Sequence, residues 1–143
     1  MTTSAPASAT GHALVSVRLI TDDLTRLVGF YERVTGGSVR WFTPDFAELQ
    51  TPAGTLAIAS TGTAALFGPG AARPADNHTA IIEFLVEDVD EEYYRIKQLP
   101  TEFVNSPTTM PWGNRSLLLR DPDGNLVNLF TPVTPDARTK FGR

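Results

Sequence analysis

The sequence predicts an α+β domain built from two βαβββ modules in tandem, and three observations carry this prediction. The chain has 143 residues, which suits one domain of ordinary size. Its apolar residues follow the same order twice: an alternating strand pattern, an amphipathic helix, and three short strand patterns. The two halves also superpose at a nearly constant spacing, which indicates an internal repeat.

The first module is predicted over residues 13–60. Residues 13–20 alternate in polarity, as a strand with two different faces does, and an amphipathic helix follows them. Thr21 or Asp22 is expected to cap this helix, and Gly36 to end it. Three short strands complete the module, at 38–42, 45–50 and 55–60.

The second module is predicted over residues 79–133 and follows the same order. Residues 80–86 form its first strand, and Asp88 with Glu91 resembles a capping box at the start of a helix. Pro100 ends that helix, because proline cannot continue it. Three strands follow, at 102–105, 114–120 and 126–131.

The remaining segments are poor in apolar periodicity. The first 12 residues are small and polar, and the end of the chain mixes basic residues with Pro, Thr and Gly. Between the modules the chain is rich in Gly, Ala and Pro. We therefore expect a flexible N-terminus at 1–12, a linker at 61–78 and a flexible C-terminal tail at 134–143.

The internal repeat is visible as arithmetic. An offset of 65 residues places apolar positions of the first half on apolar positions of the second: Val17 on Ile82, Leu19 on Phe84, Leu24 on Val89, Tyr31 on Ile96. Near the end of each half the offset becomes 70, which places Pro52 on Pro122 and Gly54 on Gly124. The matching turns at both ends favour a duplication over a chance alignment of amphipathic segments.

Composition excludes several classes of function. Twelve basic and sixteen acidic side chains give a net charge of −4, without the basic patch of a nucleic-acid-binding protein. There is no cysteine and there are two histidines, so thiol chemistry and a Ser-His-Asp triad find no support. No apolar run is long enough for a membrane span, and the N-terminus does not resemble a secretory signal. We therefore expect a cytoplasmic protein that binds neither nucleic acid nor membranes.

Several motifs together resemble those of the vicinal oxygen chelate superfamily, which includes glyoxalase I, extradiol dioxygenases and bleomycin-resistance proteins. They are Phe30-Tyr31, the run Phe84-x-Val86-x-Asp88-Val89-Asp90, and the turn Asp121-Pro122-Asp123-Gly124-Asn125. The resemblance covers residues 13 to 133. It implies that the two modules form an eight-stranded, cup-shaped mixed sheet with the helices outside.

The resemblance also implies where a metal would lie. Enzymes of the superfamily hold a divalent ion in the cup with His and Glu from the first and last strands of each half. By the two offsets, those positions fall on Ser16, Ile58, Ile81 and Asn128. Serine and amide oxygens are weak ligands and isoleucine is none. We therefore expect no metal and no cofactor.

Strand alternation predicts the ligand-binding face of the cup. Arg18 shares a face with Ser16, and Glu83 with Ile81, so the repeat makes Arg18 and Glu83 equivalent. They are predicted either to form an ion pair in the cup or to present a charge to a ligand, and the alternative is that either reaches solvent at the rim. Phe130 shares a face with Asn128, and Phe42 and Trp112 are placed near the mouth, where aromatic rings can stack on a ligand. For Trp112 the alternative is a role in the core or in a dimer interface.

Three functional hypotheses remain open at this point. The leading one is a binding protein like the bleomycin-resistance branch, which protects by holding a compound, here an aromatic or cationic natural product. The second is a metal-dependent lyase or dioxygenase with unorthodox ligands such as Glu83, Asn128 and His78. The third is a metal-free enzyme with Glu83 as general base. In each case the resemblance implies a homodimer.

Overall fold

The computed structural model of the protein describes residues 9–143, and its elements follow the predicted order. The part of the predicted flexible N-terminus that precedes residue 9 lies outside the described residues. The first half comprises β1 (Ser16–Thr21), α1 (Leu24–Thr35), β2 (Arg40–Thr43), β3 (Phe46–Gln50), β4 (Thr55–Ser60) and α2 (Thr61–Ala65). The second half comprises β5 (Ile81–Leu85), α3 (Val89–Ile96), β6 (Glu102–Phe103), β7 (Thr108–Thr109), β8 (Asn114–Arg120), β9 (Leu126–Pro132) and α4 (Pro135–Lys140).

The strands form two mixed sheets, which confirms the predicted α+β class with a repeated module. The first sheet has the order β1-β4-β3-β2, and the second has the order β5-β9-β8-β6, with β7 also paired to β8. In each sheet the first strand runs parallel to the last, and the others are antiparallel. The described residues contain nine strands where eight were predicted, because two separate two-residue strands pair with β8.

Both long helices begin at an aspartate. The Asp23 carboxylate accepts a hydrogen bond from the backbone N–H of Arg26, and the Asp88 carboxylate accepts from those of Asp90 and Glu91. The prediction of Asp88 is confirmed, whereas Thr21 and Asp22 do not cap α1. Thr21 is buried at the end of β1, where its hydroxyl accepts from the N–H of Asp23, so the cap lies one residue later than predicted.

Two segments predicted to be irregular contain helices. The linker begins with α2, and the C-terminal tail contains α4. The α4 helix has both signals of a helix start, since Thr134 caps it through its side chain and Pro135 follows directly. It packs on the second sheet, where the rings of Phe130 and Phe141 lie 5.1 Å apart. Each module therefore ends in a short helix after its last strand.

One face of each sheet packs with α1 and α3 in a single hydrophobic core that joins the two modules. Its members come from both halves. We call the opposite face of each sheet its outer face; by strand register it carries Ser16, Arg18 and Ala57 in the first sheet. In the second sheet the outer face carries Ile81, Glu83 and Asn128.

The turn before the last strand is one residue longer in the second module. Backbone hydrogen bonds close it between Thr51 and Gly54 in the first module and between Asp121 and Asn125 in the second. The offset between the halves therefore rises from 70 to 71 across the turn. Side chains alternate between the two faces along a strand. With the extra residue, a β4 residue that an offset of 70 matches to a β9 residue therefore lies on the opposite face of its sheet.

The prediction of Ile58 as a site residue was wrong for this reason. Ile58 pairs with Leu19 of β1 and is fully buried in the shared core. The residue that corresponds to Asn128 is Ala57, because Ala57 pairs with Arg18 as Asn128 pairs with Glu83.

A buried hydrogen-bond network ties α1 to the long turn of the second module. The Tyr31 hydroxyl donates to Oδ2 of Asp121 at 2.7 Å. The same carboxylate accepts from the backbone N–H groups of Asp123 and Asn125 and from the side-chain amide of Asn125. Asn125 in turn accepts from Asn77 of the linker. The network therefore connects both modules and the segment between them.

This network predicts how stability depends on pH at the alkaline end. Burial, and then the negative charge of Asp121, raises the pKa of Tyr31 well above its usual 10.0. Above pH 10.0, the ordinary tyrosine pKa, the unfolded chain loses the phenolic proton of Tyr31 while the folded chain keeps it. The contribution of Tyr31 to the free energy of unfolding is fully present below the tyrosine pKa of the unfolded chain. Above that pKa, it should fall by about 1.4 kcal/mol for each pH unit.

Denaturant unfolding of the wild type and of Tyr31→Phe, between about pH 8 and about pH 11, measures this effect. The difference in stability between the two proteins should narrow as the pH rises above the ordinary tyrosine pKa. A constant difference would show that Tyr31 ionises equally easily in both states.

Across residues 9–143, no helix has the length and apolarity needed to cross a membrane.

Candidate ligand-binding site

A groove of about 330 Å³ runs between the two sheets, along their edge strands β1 and β5. Its walls come from three segments: Leu14–Val17, Thr51–Leu56 without Pro52, and Ala80–Phe84. Three of the predicted site residues, Ser16, Ile81 and Glu83, line it together. The structure thus brings the first-strand positions of the two modules to one site.

The walls of the groove are apolar and open to solvent. Leu14 and Val15 precede β1 and are 87% and 67% exposed, and Val17 and Ile81 are about half exposed. Large apolar side chains that are exposed next to one another mark a binding surface more often than isolated ones do. Leu14, Val15 and Val17 were not predicted as site residues, because strand alternation assigns only every second residue of a strand to one face.

Among residues 9–143, Glu83 is the one charged side chain in the lining of this groove. Its Oε2 accepts a hydrogen bond of 2.8 Å from the side-chain amide of Asn128, its partner on β9. The amide nitrogen must face the carboxylate, since the amide oxygen would be repelled there. Asn128 itself is 8% exposed. Because its hydrogen bond engages Oε2 of Glu83, the other carboxylate oxygen, Oε1, remains for another donor.

Several polar atoms on the outer face of the second sheet are buried without a hydrogen-bond partner among residues 9–143. They are Asn114 Oδ1, Ser116 Oγ and Asn128 Oδ1. Buried polar atoms without a partner are rare and indicate a functional role or bound water. Asn114 and Ser116 were not predicted, although they are polar residues at alternate positions of one strand, on the same face as Asn128, and this pattern is a signal that could have revealed them.

The predicted ion pair between Arg18 and Glu83 does not form. None of the four ion pairs found among the described residues joins them. Arg18 stacks instead on the rings of Phe46 and Phe67 and lines another pocket. The repeat makes the two positions equivalent, but equivalence within separate sheets does not bring their side chains together.

The predicted aromatic residues lie apart from the groove. Phe42 is the extra residue of a bulge in the edge strand β2 and is 49% exposed. Trp112 is exposed in the loop before β8. Phe130 is buried on the outer face of the second sheet, under Phe141. None of the three lines the groove.

The positions where the superfamily resemblance implies a metal do not supply a ligand set. With the corrected register they are Ser16, Ala57, Ile81 and Asn128, which offer one hydroxyl and one amide oxygen. Divalent ions prefer carboxylate, imidazole or thiolate ligands. Among residues 9–143 no three His, Cys, Asp or Glu side chains are grouped as a metal site. His78 lies in the linker, exposed near Asp76. The residues present therefore do not fit the implied metal.

The fold defines a class of protein, a duplicated βαβββ domain with a groove between its modules. The chain belongs to the Glyoxalase/Bleomycin resistance protein/Dioxygenase superfamily, whose sequence profile matches residues 12–129. This match confirms the resemblance in the sequence. No curated protein sequence is significantly similar to the chain.

Solved structures of the same superfamily share the fold. A glyoxalase/bleomycin resistance protein/dioxygenase from Nocardioides is 21% identical, with a TM-score of 0.73, over 90% of this chain and 88% of that one. A family enzyme from Burkholderia phytofirmans is 17% identical, with a TM-score of 0.76, over 85% of this chain and 100% of that one. At these identities the likeness concerns the fold.

Proposed function

We propose that the protein binds a small organic molecule in the groove between β1 and β5, without a catalytic metal. The observation that carries the proposal is the chemistry of the groove. The groove has exposed apolar walls and one carboxylate, that of Glu83, which accepts a hydrogen bond from the side-chain amide of Asn128. A site with apolar walls and a few placed polar groups is typical of small-molecule binding.

The polar groups favour a ligand that carries a positive charge and hydrogen-bond donors. A carboxylate only accepts hydrogen bonds, and the side-chain amide of Asn128 already donates one N–H to it. The hydroxyl of Ser16, which also lines the groove, can accept a further hydrogen bond. An organic cation with a flat apolar body would match this inventory, because a charged hydrogen bond is stronger than a neutral one.

Binding alone is a sufficient role for such a site. The metal-dependent alternative lacks a donor set at the positions that the superfamily uses. The alternative of a metal-free enzyme needs a substrate proton within reach of Glu83. The exposed carboxylate is the observation in favour of that alternative, and it makes Glu83 the residue to test first under either hypothesis.

The ligand proposal is tested with 2-naphthylmethylamine, an apolar cation, and with 2-naphthalenemethanol, its neutral analogue. Calorimetric titration should give tighter binding of the amine. Glu83→Gln keeps the shape of the side chain and removes its charge, so the amine should bind at least about tenfold more weakly, a loss of about 1.4 kcal/mol. Binding of the alcohol should stay the same.

Glu102→Gln is the matched control, because Glu102 is an exposed glutamate of the same sheet but outside the groove. It should leave the affinity for the amine unchanged. Equal binding of amine and alcohol by the wild type, or equal losses in both variants, would contradict the proposal.

The metal part of the proposal is tested by elemental analysis. Protein purified without metal-affinity resin should contain substoichiometric amounts of transition metal, because Ser16, Ala57, Ile81 and Asn128 provide no strong ligand. A full equivalent of zinc, iron, nickel or manganese per chain would contradict this expectation and favour the lyase or dioxygenase hypothesis.

We also propose a homodimer in the cytoplasm, as the sequence analysis expected. The exposed rings of Trp41 and Phe42 on the edge strand β2 support this proposal, since an exposed edge strand with aromatic side chains favours association.

A further inference from the structure

A second pocket lies on the outer face of the first sheet. It has a volume of about 380 Å³, and its lining residues come from β1 and from the segment that follows β4: Arg18, Ile20, Ala64, Phe67, Ala71, Ala72. None of these residues lines the groove that contains Glu83, and none belongs to the second module. The pocket is therefore a separate place on the molecule.

Arg18 is the charged group of this pocket, and two aromatic rings hold its guanidinium. Its Cζ lies 4.7 Å from the centre of the Phe46 ring and 5.6 Å from that of Phe67. Stacking on aromatic faces orients the guanidinium plane and leaves the N–H groups at its edge available. An oriented guanidinium presents two parallel donors, which match a carboxylate.

The charge of Arg18 has no partner among residues 9–143. It takes part in none of their ion pairs, and no protein group of that range accepts a hydrogen bond from it. In register on the same face, Ala57 is next to Arg18, and Glu48 lies one strand further. The backbones of Arg18 and Glu48 are two strand spacings apart, about 10 Å, and among residues 9–143 Glu48 forms no ion pair with Arg18 or with Arg40, its register partner on β2.

The walls of the pocket suit an apolar body. Three alanines leave space next to the guanidinium, and Phe67 is 77% exposed at the rim. A ligand that covers Phe67 removes apolar surface from water and is stabilised by that burial.

We infer that this pocket binds the carboxylate of a small apolar acid. Arg18 donates two hydrogen bonds to the carboxylate, and Ile20, Phe67 and the alanines contact the apolar body. The equivalent positions of the two modules, Arg18 and Glu83, thus serve separate sites of opposite charge preference.

The probe is 2-naphthoate, with 2-naphthalenemethanol as its neutral analogue, titrated into the full chain and followed by calorimetry. The wild type should bind the acid more tightly than the alcohol, and added salt should weaken binding of the acid. Arg18→Met should weaken binding of the acid at least about tenfold, to nearly the affinity of the alcohol. Arg18→Lys should fall between the two, because an ammonium cannot offer the paired donors.

Arg40→Met is the matched control. Arg40 is also an exposed arginine of the first sheet that stacks on a phenylalanine, with its Cζ 4.9 Å from the Phe42 ring, but it lies outside the pocket. It should leave the affinity for naphthoate unchanged. Phe67→Ala, at an exposed position, should weaken binding of both acid and alcohol.

Three results would overturn the inference: equal binding of acid and alcohol by the wild type, equal losses in Arg18→Met and Arg40→Met, or no loss in Arg18→Met. Glu83→Gln separates this inference from the proposed function. It should leave naphthoate affinity intact, whereas a loss there would mean that both probes enter one site.

Discussion

Replacing Asp121 with alanine is expected to lower the free energy of unfolding by about 3–5 kcal/mol, as removal of one partner from a buried charged network does. The Asp121 side chain is 4% exposed and accepts four hydrogen bonds. Without it, the Tyr31 hydroxyl and the turn N–H groups lose their acceptor in a place that water does not reach. Urea unfolding followed by circular dichroism measures the loss.

Asp123→Ala is the matched control, because it removes an aspartate of the same turn whose Oδ2 has no hydrogen-bond partner in the described part of the chain. Its effect should be small or even stabilising. Tyr31→Phe should cost about 1.5–3 kcal/mol, the range for a hydrogen bond to a charged group. Combining Tyr31→Phe with Asp121→Ala should cost less than the sum of the single losses. Additive losses, or equal losses at Asp121 and Asp123, would contradict the network.

The next largest effect is expected from Gly113→Ala, in the loop before β8. Gly113 has a φ of +94°, and a Cβ there would lie 2.1 Å from Oγ1 of Thr134, the residue that caps α4. The Gly113 carbonyl also accepts hydrogen bonds from Val133 and Thr134, so the glycine cannot move away without disturbing the start of α4. We expect a loss of about 3 kcal/mol or more from backbone strain and overpacking together.

Gly124→Ala separates the two causes. Gly124 has a φ of +84°, but a Cβ there would meet no atom of residues 9–143 within 4 Å. Its substitution should therefore cost only the backbone strain of about 1–2 kcal/mol. Denaturant unfolding of both variants gives the comparison. Equal losses in the free energy of unfolding would show that the close contact with Thr134 does not add to the cost at Gly113.

The elements that periodicity and caps define could be predicted from the sequence. The α1 and α3 helices were visible from their apolar spacing, and Asp88 was recognised as a cap because Glu91 follows it at the spacing of a capping box. The α4 helix was missed although Thr134-Pro135 is a start signal, because a short helix at a chain end has little apolar pattern of its own.

The site could be predicted only in part, for two physical reasons. Alternation along a strand depends on the length of each turn, and the extra residue between Asp121 and Asn125 moved the counterpart of Asn128 from Ile58 to Ala57. The match of Pro52 with Pro122 gave an offset of 70 for the whole turn, so the extra residue could not be seen from the sequence. Alternation also says nothing about how two sheets are placed, so Arg18 and Glu83 could be assigned to equivalent faces but not to a distance.

The shared hydrophobic core has a consequence for how the protein unfolds and how its halves depend on each other. Tyr31 of the first half contacts Phe84 and Asp121 of the second. Tyr31 and Asp121 are buried, and Phe84 is partly buried against the same core. A separated half would expose the apolar side of its helix to water. The two modules should therefore unfold together in one cooperative transition and not independently. A chain cleaved in the exposed linker should remain associated as a complex of its two fragments.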